Sequence, residues 1–181
     1  MKRKNSIVYK IIISLLLLAV ICTPLFANAS YIGTGSPTLS VTCKKPNYND
    51  VFMSLIEAAT NAWNTSGCGA NITMTTGSCD NKLYAGSYPD SWYGLNTPWV
   101  NPYKFEIKIN TRTITNDATN YNNFVMAVIV HEFGHVYWLA DNPNTQSSSI
   151  MKYNNNGMNY NTTWTPQQFD IYNVMAAYNQ K

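Results

Sequence analysis

The two histidines of the chain lie four residues apart in the segment HEFGHVYWLAD, residues 131–141. Residues at this spacing stand on one face of a helix, about one turn from each other, so His131 and His135 can converge on a single cation. The preceding segment FVMAVIV is apolar throughout, and we therefore predict a buried helix that begins near Asn120. The fold must bury that helix and place both imidazoles in the apolar wall of a site that excludes water.

Two imidazoles arranged in this way suit zinc, which binds histidine nitrogens at roughly 2.0–2.1 Å. Glu132 points to the side of this pair, near enough to hydrogen-bond a metal-bound water without being a ligand. Zinc lowers the pKa of such a water towards about 7, and Glu132 can then take its proton as a general base. The five-residue pattern also arises by chance in unrelated proteins. Here both histidines of the chain belong to it, which favours a zinc site.

A zinc hydrolase needs a third protein ligand, and elimination leaves few candidates. Glu132 is the last glutamate of the chain, and only Asp141 and Asp170 follow His135 as acidic side chains. Asp141 precedes Asn142-Pro143, which cannot continue a helix. In a continuous helix its carboxylate would lie on another face than His135. We therefore predict that the chain turns before Asp141 and that Asp141 completes the site, with Asp170 as the alternative third ligand.

Residues 1–29 are predicted to be a secretory signal peptide that is cleaved before Ser30. The first ten residues carry four basic and no acidic side chains, residues 11–21 are almost entirely apolar, and Ala27-Asn28-Ala29 offers the small residues that a signal peptidase reads. An uncleaved membrane anchor is the alternative, against which Pro24 and the cleavage site argue. Residues 30–181 then form one extracellular domain.

Cleavage changes the charge of the chain, which is +3 from 12 basic and 9 acidic residues. Four basic residues leave with the signal peptide, so eight remain against nine acidic residues and the net charge becomes −1. The mature chain therefore has no basic patch for nucleic acid or for an anionic membrane. We expect a secreted monomer that has neither of these as a partner.

Hydrophobic periodicity predicts an α+β fold with a mixed sheet backed by helices. The strongest strand pattern is YKFEIKI at residues 103–109, where apolar and charged side chains alternate. Short strands and loops are expected over residues 80–102. Further strands are predicted over residues 38–43 and 72–76, and helices are predicted from Asp50 with an apolar face including Val51, from about Asn120, and after Thr165-Pro166.

The segment HEFGHVYWLAD resembles the metzincin signature H-E-x-x-H-x-x-G-x-x-H/D, the zinc-binding segment of astacins, serralysins, matrixins and snapalysins. Snapalysin-type enzymes have aspartate as the third ligand, as Asp141 would be here. The chain departs from the signature at Trp138, which stands where the family has glycine. That glycine permits the sharp turn after the helix, and a non-glycine residue with positive φ is unfavourable by roughly 1 kcal/mol or more.

A second segment, Ser149-Ile150-Met151-Lys152-Tyr153, resembles the S-I-M-x-Y Met-turn of astacins and serralysins. The resemblance implies that Met151 lies beneath the metal and that Tyr153 contacts zinc or stabilises the oxyanion. The segment TPQQFDIYNVMAAY is similar to the closing helix of matrixin-like domains. The implied fold is a twisted mixed sheet of about five strands with an active-site helix, a backing helix and a C-terminal helix.

Three cysteines remain after cleavage, and outside the cell one disulfide is expected. Their spacing leaves all three pairings open among Cys43, Cys68 and Cys79. The resemblance places the first two strands side by side with their ends pointing the same way, which favours a Cys43–Cys79 bridge. A matrixin-like cysteine switch, in which the Cys43 thiolate blocks zinc, is an alternative use of this residue.

The resemblance implies a secreted zinc endopeptidase with His131, His135 and Asp141 as metal ligands and Glu132 as general base. A peptide substrate would lie along an edge strand above the zinc, in a groove shaped by Tyr, Trp and Gly residues between positions 84 and 99. The alternative is a secreted binding or adhesion protein that keeps a zinc-stabilised scaffold without turnover. Trp138 favours that alternative, and the intact Glu132 opposes it.

Overall fold

The computed structural model describes residues 30–100, 103–152 and 158–179. Within these ranges the chain forms one five-stranded sheet, four α-helices and a short 3₁₀ helix at Met158–Asn161. The strands are β1 (Ser40–Lys44), β2 (Asn71–Thr75), β3 (Lys82–Gly86), β4 (Gly94–Val100) and β5 (Tyr103–Asn110). The helices are α1 (Asp50–Asn64), α2 (Thr111–Asp117), α3 (Tyr121–Val136) and α4 (Gln168–Asn179).

The sheet is mixed, with the strand order β2-β1-β3-β5-β4. β1 pairs in parallel with β2 and β3, and β3 pairs in parallel with β5. Only β4 runs antiparallel, along β5, and it forms one edge of the sheet. The predicted mixed sheet of about five strands is therefore confirmed.

The core lies between the sheet and α3. Alternation along β5 buries Phe105, Ile107 and Ile109 completely, as the sequence pattern predicts. Helix α3 contacts β4 and β5 on one side and α1 on the other, so nearly all of its residues from Phe124 onwards are buried. The Trp63 indole N–H of α1 donates to the carbonyl of Val130 over 2.8 Å and ties the two helices together.

Helix α1 begins at Asp50, where the sequence predicts it. Asn49 is the N-cap, because its side chain accepts a hydrogen bond from the Phe52 N–H at 2.9 Å. Asp50 instead occupies the first turn, where its charge suits the helix dipole. Val51 is 59% exposed and does not belong to the buried face, contrary to the prediction.

Helix α2 was not predicted from the sequence. It directly follows β5, spans only seven residues and buries a single one, Ile114, so it has too short an apolar pattern to stand out. The last helix is found as predicted and begins at Gln168, just after Pro166.

The expected disulfide is not supported, since Cys43, Cys68 and Cys79 are all free thiols. Cys43 points from β1 into the core and is fully buried, whereas the Cys79 thiol donates to the carbonyl of Thr42 at 3.1 Å. Burial raises the pKa of Cys43 to about 12. A thiol that is buried and protonated at neutral pH does not fit the cysteine switch either.

Residues 1–29, predicted to be the signal peptide, lie outside the described residues. In the part of the chain that the structure does describe, no helix combines the length and apolarity needed to cross a membrane.

Candidate metal centre

Both histidines project from α3 with their Nδ1 atoms held by backbone carbonyls. His131 Nδ1 lies 3.0 Å from the carbonyl oxygen of Ile150, and His135 Nδ1 lies 2.7 Å from that of Leu139. A carbonyl can only accept a hydrogen bond, so each Nδ1 carries a proton, and in the neutral imidazole each Nε2 then keeps a lone pair. The two hydrogen bonds to backbone carbonyls orient both Nε2 atoms as ligands for a metal ion.

The Asp141 carboxylate meets both imidazoles. Its Oδ1 lies 3.0 Å from His131 Nε2 and 3.6 Å from His135 Nε2, and the two Nε2 atoms are 3.1 Å apart. Ligands around a tetrahedral zinc at roughly 2.0–2.1 Å are separated by about 3.3 Å, the edge of the tetrahedron. The triangle of donor atoms thus has the size of one tetrahedral face, and the three residues form a group able to hold a metal ion.

The chain reaches Asp141 through a left-handed turn at the end of α3. Trp138 has φ 74° and is the only non-glycine residue with positive φ among the described residues. The Leu139 N–H donates to the carbonyl of Gly134 and the Trp138 N–H to that of His135, at 3.0 and 3.1 Å. These are the bonds of a left-handed helix C-cap, in which glycine usually takes the position of Trp138. The helix therefore does end before Asp141.

Two other segments hold the backbone on either side of Asp141. The Ala140 N–H donates to the carbonyl of Ser30 at 2.9 Å, and the Asn142 N–H donates to that of Met151 at 2.8 Å. The Asp141 side chain itself is 51% exposed. Its position therefore depends on contacts with its backbone neighbours more than on its own burial.

Met151 lies directly under the helix turn that joins the two histidines. A Cβ atom added to Gly134 would come within 2.4 Å of the Met151 sulfur, so the thioether packs against bare backbone. Met151 is buried, and its N–H is bonded to the Ser149 hydroxyl at 3.0 Å. The sequence SIMKY thus places Met151 close beneath the histidine pair.

Asp170 anchors this turn and is not one of the three clustered donor residues. Its carboxylate accepts hydrogen bonds from the Ser149 hydroxyl at 2.5 Å, the Ile150 N–H at 2.9 Å and the Gln167 N–H at 2.8 Å. These donors occupy both of its oxygens, so the alternative that Asp170 is the third ligand is not supported. Asp170 accepts from the Ile150 N–H, and the Ile150 carbonyl accepts from His131. Asp170 therefore orients that histidine indirectly, through Ile150.

Burial and mutual contact shift the pKa values of all three donor residues. Burial, followed by the neighbouring His131, lowers the pKa of His135 to about 4. Burial acts against the ionised form of Asp141, but the hydrogen bond and charge of His131 bring its pKa below the ordinary value. Burial likewise opposes charging of His131, yet Asp141 and Glu132 raise its pKa. Neutral His135 and ionised Asp141 are the forms that bind metal, whereas His131 must give up its second proton when a metal binds.

Glu132 faces the same space from the side of α3. The residue is 4% exposed, and its Oε2 accepts no hydrogen bond from any described residue. Burial raises its pKa to about 7, with the charge of His131 opposing and that of Asp141 reinforcing the shift. A carboxylate with such a pKa can both take and return a proton near neutral pH.

A cleft of about 280 Å³ opens onto His131, Glu132, His135 and Asp141. Its remaining wall comes from the start of β4 with the residues before it, and from the 3₁₀ helix; these lining residues are Trp92, Tyr93, Gly94, Leu95, Asn96 and Tyr160. Several belong to the stretch from 84 to 99 that the sequence analysis singled out.

Tyr160 was missed by the sequence analysis. Its ring stands edge-on to His131, with centroids 5.4 Å apart. It comes from an asparagine-rich stretch without periodicity, so nothing in the sequence marked it. Tyr153 lies outside the described residues.

The fold is similar to two solved structures. A chain of the structure titled "GM1 bound form of the ECX AB5 holotoxin" aligns with a TM-score of 0.56 and 15% identity, over 77% of this chain and 80% of that one. Archaemetzincin from Methanopyrus kandleri aligns with a TM-score of 0.54 and 10% identity, over 80% of this chain and 98% of that one. No protein-family model and no curated protein matches the sequence. The likeness is one of fold, shared with a protein that is by its name a metzincin.

Proposed function

We propose that the protein is a zinc-dependent endopeptidase with His131, His135 and Asp141 as metal ligands. The observation that carries this proposal is the convergence of three donor atoms into a triangle of tetrahedral size, with a buried carboxylate beside it. An arrangement of three protein ligands with one open position is typical of catalytic rather than structural zinc sites. The archaemetzincin-like fold supports the same assignment.

Glu132 is proposed as the general base. Zinc bound at the three ligands would lower the pKa of a water towards about 7 and polarise the scissile carbonyl. The Glu132 Oε2, buried without a hydrogen bond from the described residues, takes the proton of the attacking water. It then passes that proton to the leaving nitrogen, a transfer for which a pKa of about 7 is well matched.

The substrate is proposed to be an extended peptide that pairs with β4. This strand forms an edge of the sheet, and Gly94, Leu95 and Asn96 line the cleft that contains the metal ligands. An edge strand can pair with an added strand through backbone hydrogen bonds, which bind peptides with little regard to sequence. Tyr153, two residues after Met151 in the SIMKY segment, is proposed to stabilise the oxyanion by its resemblance to Met-turn tyrosines.

Metal analysis and a cleavage assay on the purified protein test this function. The protein should bind one zinc ion per chain and cleave an unstructured protein such as casein, and chelation should abolish cleavage. Glu132→Gln should retain the zinc and lose cleavage by about a hundredfold or more, since it removes the proton acceptor but not a ligand. A protein that binds no zinc, or whose cleavage survives both chelation and Glu132→Gln, would contradict the proposal.

The alternative function is a binding or adhesion protein on the same scaffold. Trp138 was the reason to consider it, because a side chain at this position was expected to disturb the turn before Asp141. In the structure Trp138 adopts the left-handed conformation, and Asp141 reaches both imidazoles. The peptidase is therefore the better supported proposal; zinc binding without cleavage of a broad peptide library would favour the alternative.

Export remains a proposal that rests on the sequence of residues 1–29. We propose that the protein acts outside the cell as a monomer after cleavage before Ser30. N-terminal sequencing of protein recovered from culture medium tests the cleavage site, and gel filtration tests the oligomeric state.

A further inference from the structure

Trp138 has a positive φ, which is unfavourable for any residue other than glycine, and contacts of its indole offset this cost. The indole lies over Gly35, so closely that a Cβ added there would come within 2.6–2.7 Å of three atoms of the ring. The Trp138 indole N–H also donates to the carbonyl of Ser36 at 2.7 Å. The ring is thus seated on a stretch of backbone that has no side chain of its own.

Gly35 belongs to an N-terminal segment, residues 30–36, that runs along the turn from α3 to Asp141. The Ile32 N–H donates to the carbonyl of Trp138 at 3.0 Å, and the Ser36 N–H donates to that of Val136 at 2.8 Å. The Ala140 N–H donates to the carbonyl of Ser30 at 2.9 Å. Backbone bonds therefore join this segment to the turn at both of its ends and in its middle, over more than a hundred residues of sequence.

We propose that Gly35 and Trp138 are a pair of positioning residues that place the third metal ligand, Asp141. The indole seated on Gly35 holds the left-handed turn that glycine would otherwise permit by its own flexibility. The N-terminal segment thereby becomes part of the support of the metal centre. This inference rests on the proposed metal-binding function and deepens it.

The physical reason lies in how the turn is stabilised. A residue other than glycine leaves the left-handed region unless its surroundings hold it there. Only two residues separate Trp138 from Asp141, so a change of φ at Trp138 would swing the aspartate away from the imidazoles. The half-exposed carboxylate has little packing of its own to resist that movement.

The first test compares two glycines of the same segment. Gly35→Ala must displace the indole, whereas Gly33→Ala meets nothing within 4 Å. No positive φ is recorded for either glycine, so the comparison isolates the contact with Trp138. Zinc affinity, measured by competition with a chromophoric chelator, should fall by about tenfold or more in Gly35→Ala, as when a residue that orients a metal ligand is lost. It should change by less than about twofold in Gly33→Ala.

The second test replaces the indole itself. Trp138→Gly removes the ring together with the cost of positive φ, so zinc affinity should stay near that of the wild type. Trp138→Ala removes the ring and keeps the cost, so affinity should fall by about tenfold. Gly35→Ala should have no further effect in the Trp138→Gly background, because no ring remains to be displaced; this is a double-mutant cycle.

These outcomes separate positioning from a purely structural role. A structural role would lower the melting temperature of the variants and leave zinc affinity equal in Gly35→Ala, Trp138→Ala and the wild type, and that result would overturn the inference. If Gly35→Ala fails to fold by circular dichroism, the two Trp138 variants decide in its place. Zinc binding without peptide cleavage would contradict the proposed peptidase function and leave the positioning role intact. A wild type that binds no zinc would contradict both proposals.

Discussion

The metal ligands come from two regions that are stabilised in different ways. His131 and His135 belong to α3, a helix that is buried along most of its length and tied to α1 through Trp63 and Val130. Asp141 follows the turn after that helix; its side chain is half exposed, and the turn contains a tryptophan in the left-handed region. The first region is determined by its own apolar pattern, and the second by segments that are remote in sequence.

This difference shows where the site is rigid and where it depends on its surroundings. The spacing of the two imidazoles follows from one turn of a buried helix and cannot change without unfolding it. The aspartate is held by backbone bonds from Ser30 and Met151. Changes within the helix should therefore act on the fold and the metal together, and changes around the turn should act mainly on the metal.

Loss of a ligand from either region should have the largest effect. His131→Ala and Asp141→Ala should each weaken zinc binding on the order of a thousandfold, since each removes one of three protein ligands. In the metal-free protein His131→Ala should also lower the free energy of unfolding by about 2 kcal/mol, because it leaves a buried space and the Ile150 carbonyl without its donor. Asp141→Ala should lower that free energy by at most about 1 kcal/mol, because it breaks a half-exposed ion pair with His131.

Denaturant unfolding with chelator present measures the metal-free difference between these variants. Equal loss of stability in both would mean that the two regions do not differ as described. Full zinc binding by Asp141→Ala would show that another residue is the third ligand.

The turn at Met151 contacts both regions, and Asp170 is its anchor. Asp170→Ala leaves three donors without their partner in a buried place, so the free energy of unfolding should fall by about 3 kcal/mol. Asp170→Asn is the matched control. Its amide can still accept from the backbone and donate to the Ser149 oxygen, so it should lose only about 1 kcal/mol.

Zinc affinity decides what Asp170 does. If Asp170 only anchors the turn, Asp170→Asn should retain zinc binding within about tenfold of the wild type. A loss on the order of a thousandfold would instead be the mark of a direct ligand.

A substitution beside Glu132 tests the helical region through catalytic activity rather than zinc affinity. A Cβ on Gly94 would come within 2.4 Å of Glu132 Oε1 and 2.6 Å of a Val128 methyl, so Gly94→Ala must move either the carboxylate or β4. We expect kcat/KM to fall by about a hundredfold, the effect of displacing a reacting group by about 1 Å. Zinc affinity should not change. Gly86→Ala is the control, since its new methyl would make only ordinary contacts with Tyr88; equal activity in the two variants would contradict the close fit of β4 to Glu132.

What the sequence predicts follows the same division. The alternation of β5 and the apolar run before His131 are local patterns, and the structure confirms a strand and a buried helix there. Asp141 was singled out by elimination among the few carboxylates after His135, and the structure places it beside both imidazoles. Local periodicity and a short residue list were sufficient for these features.

The support of Asp141 could not be predicted in this way. The seat of Trp138 on Gly35 joins residues about a hundred positions apart, and no periodic pattern records such a contact. Asp170 was considered only as a metal ligand, because a single carboxylate in a sequence does not show which donors surround it. The expected disulfide is absent for a related reason, since a predicted extracellular location favours pairing of cysteines in general and does not show which thiols lie close together.

The smallest effect is expected from Tyr31, an exposed side chain of the N-terminal segment. The Tyr31 hydroxyl donates to the carbonyl of Asn173 at 3.2 Å in an exposed position. Tyr31→Phe should therefore change the free energy of unfolding by less than about 0.5 kcal/mol and leave zinc affinity unchanged. Tyr178→Phe removes a better placed bond, from its hydroxyl to the carbonyl of Ser36 at 2.9 Å, and should cost about 1 kcal/mol.

This pair of tyrosines shows which contacts fix the segment against the turn. Backbone bonds hold its whole length, and Ser36 accepts from both Trp138 and Tyr178. Thermal unfolding and chelator competition on both variants measure the contrast. A larger loss of stability in Tyr31→Phe than in Tyr178→Phe would mean that the segment is fixed mainly through its contact with Asn173 of α4. The turn before Asp141 would then be held from the outer end of the segment rather than from the indole.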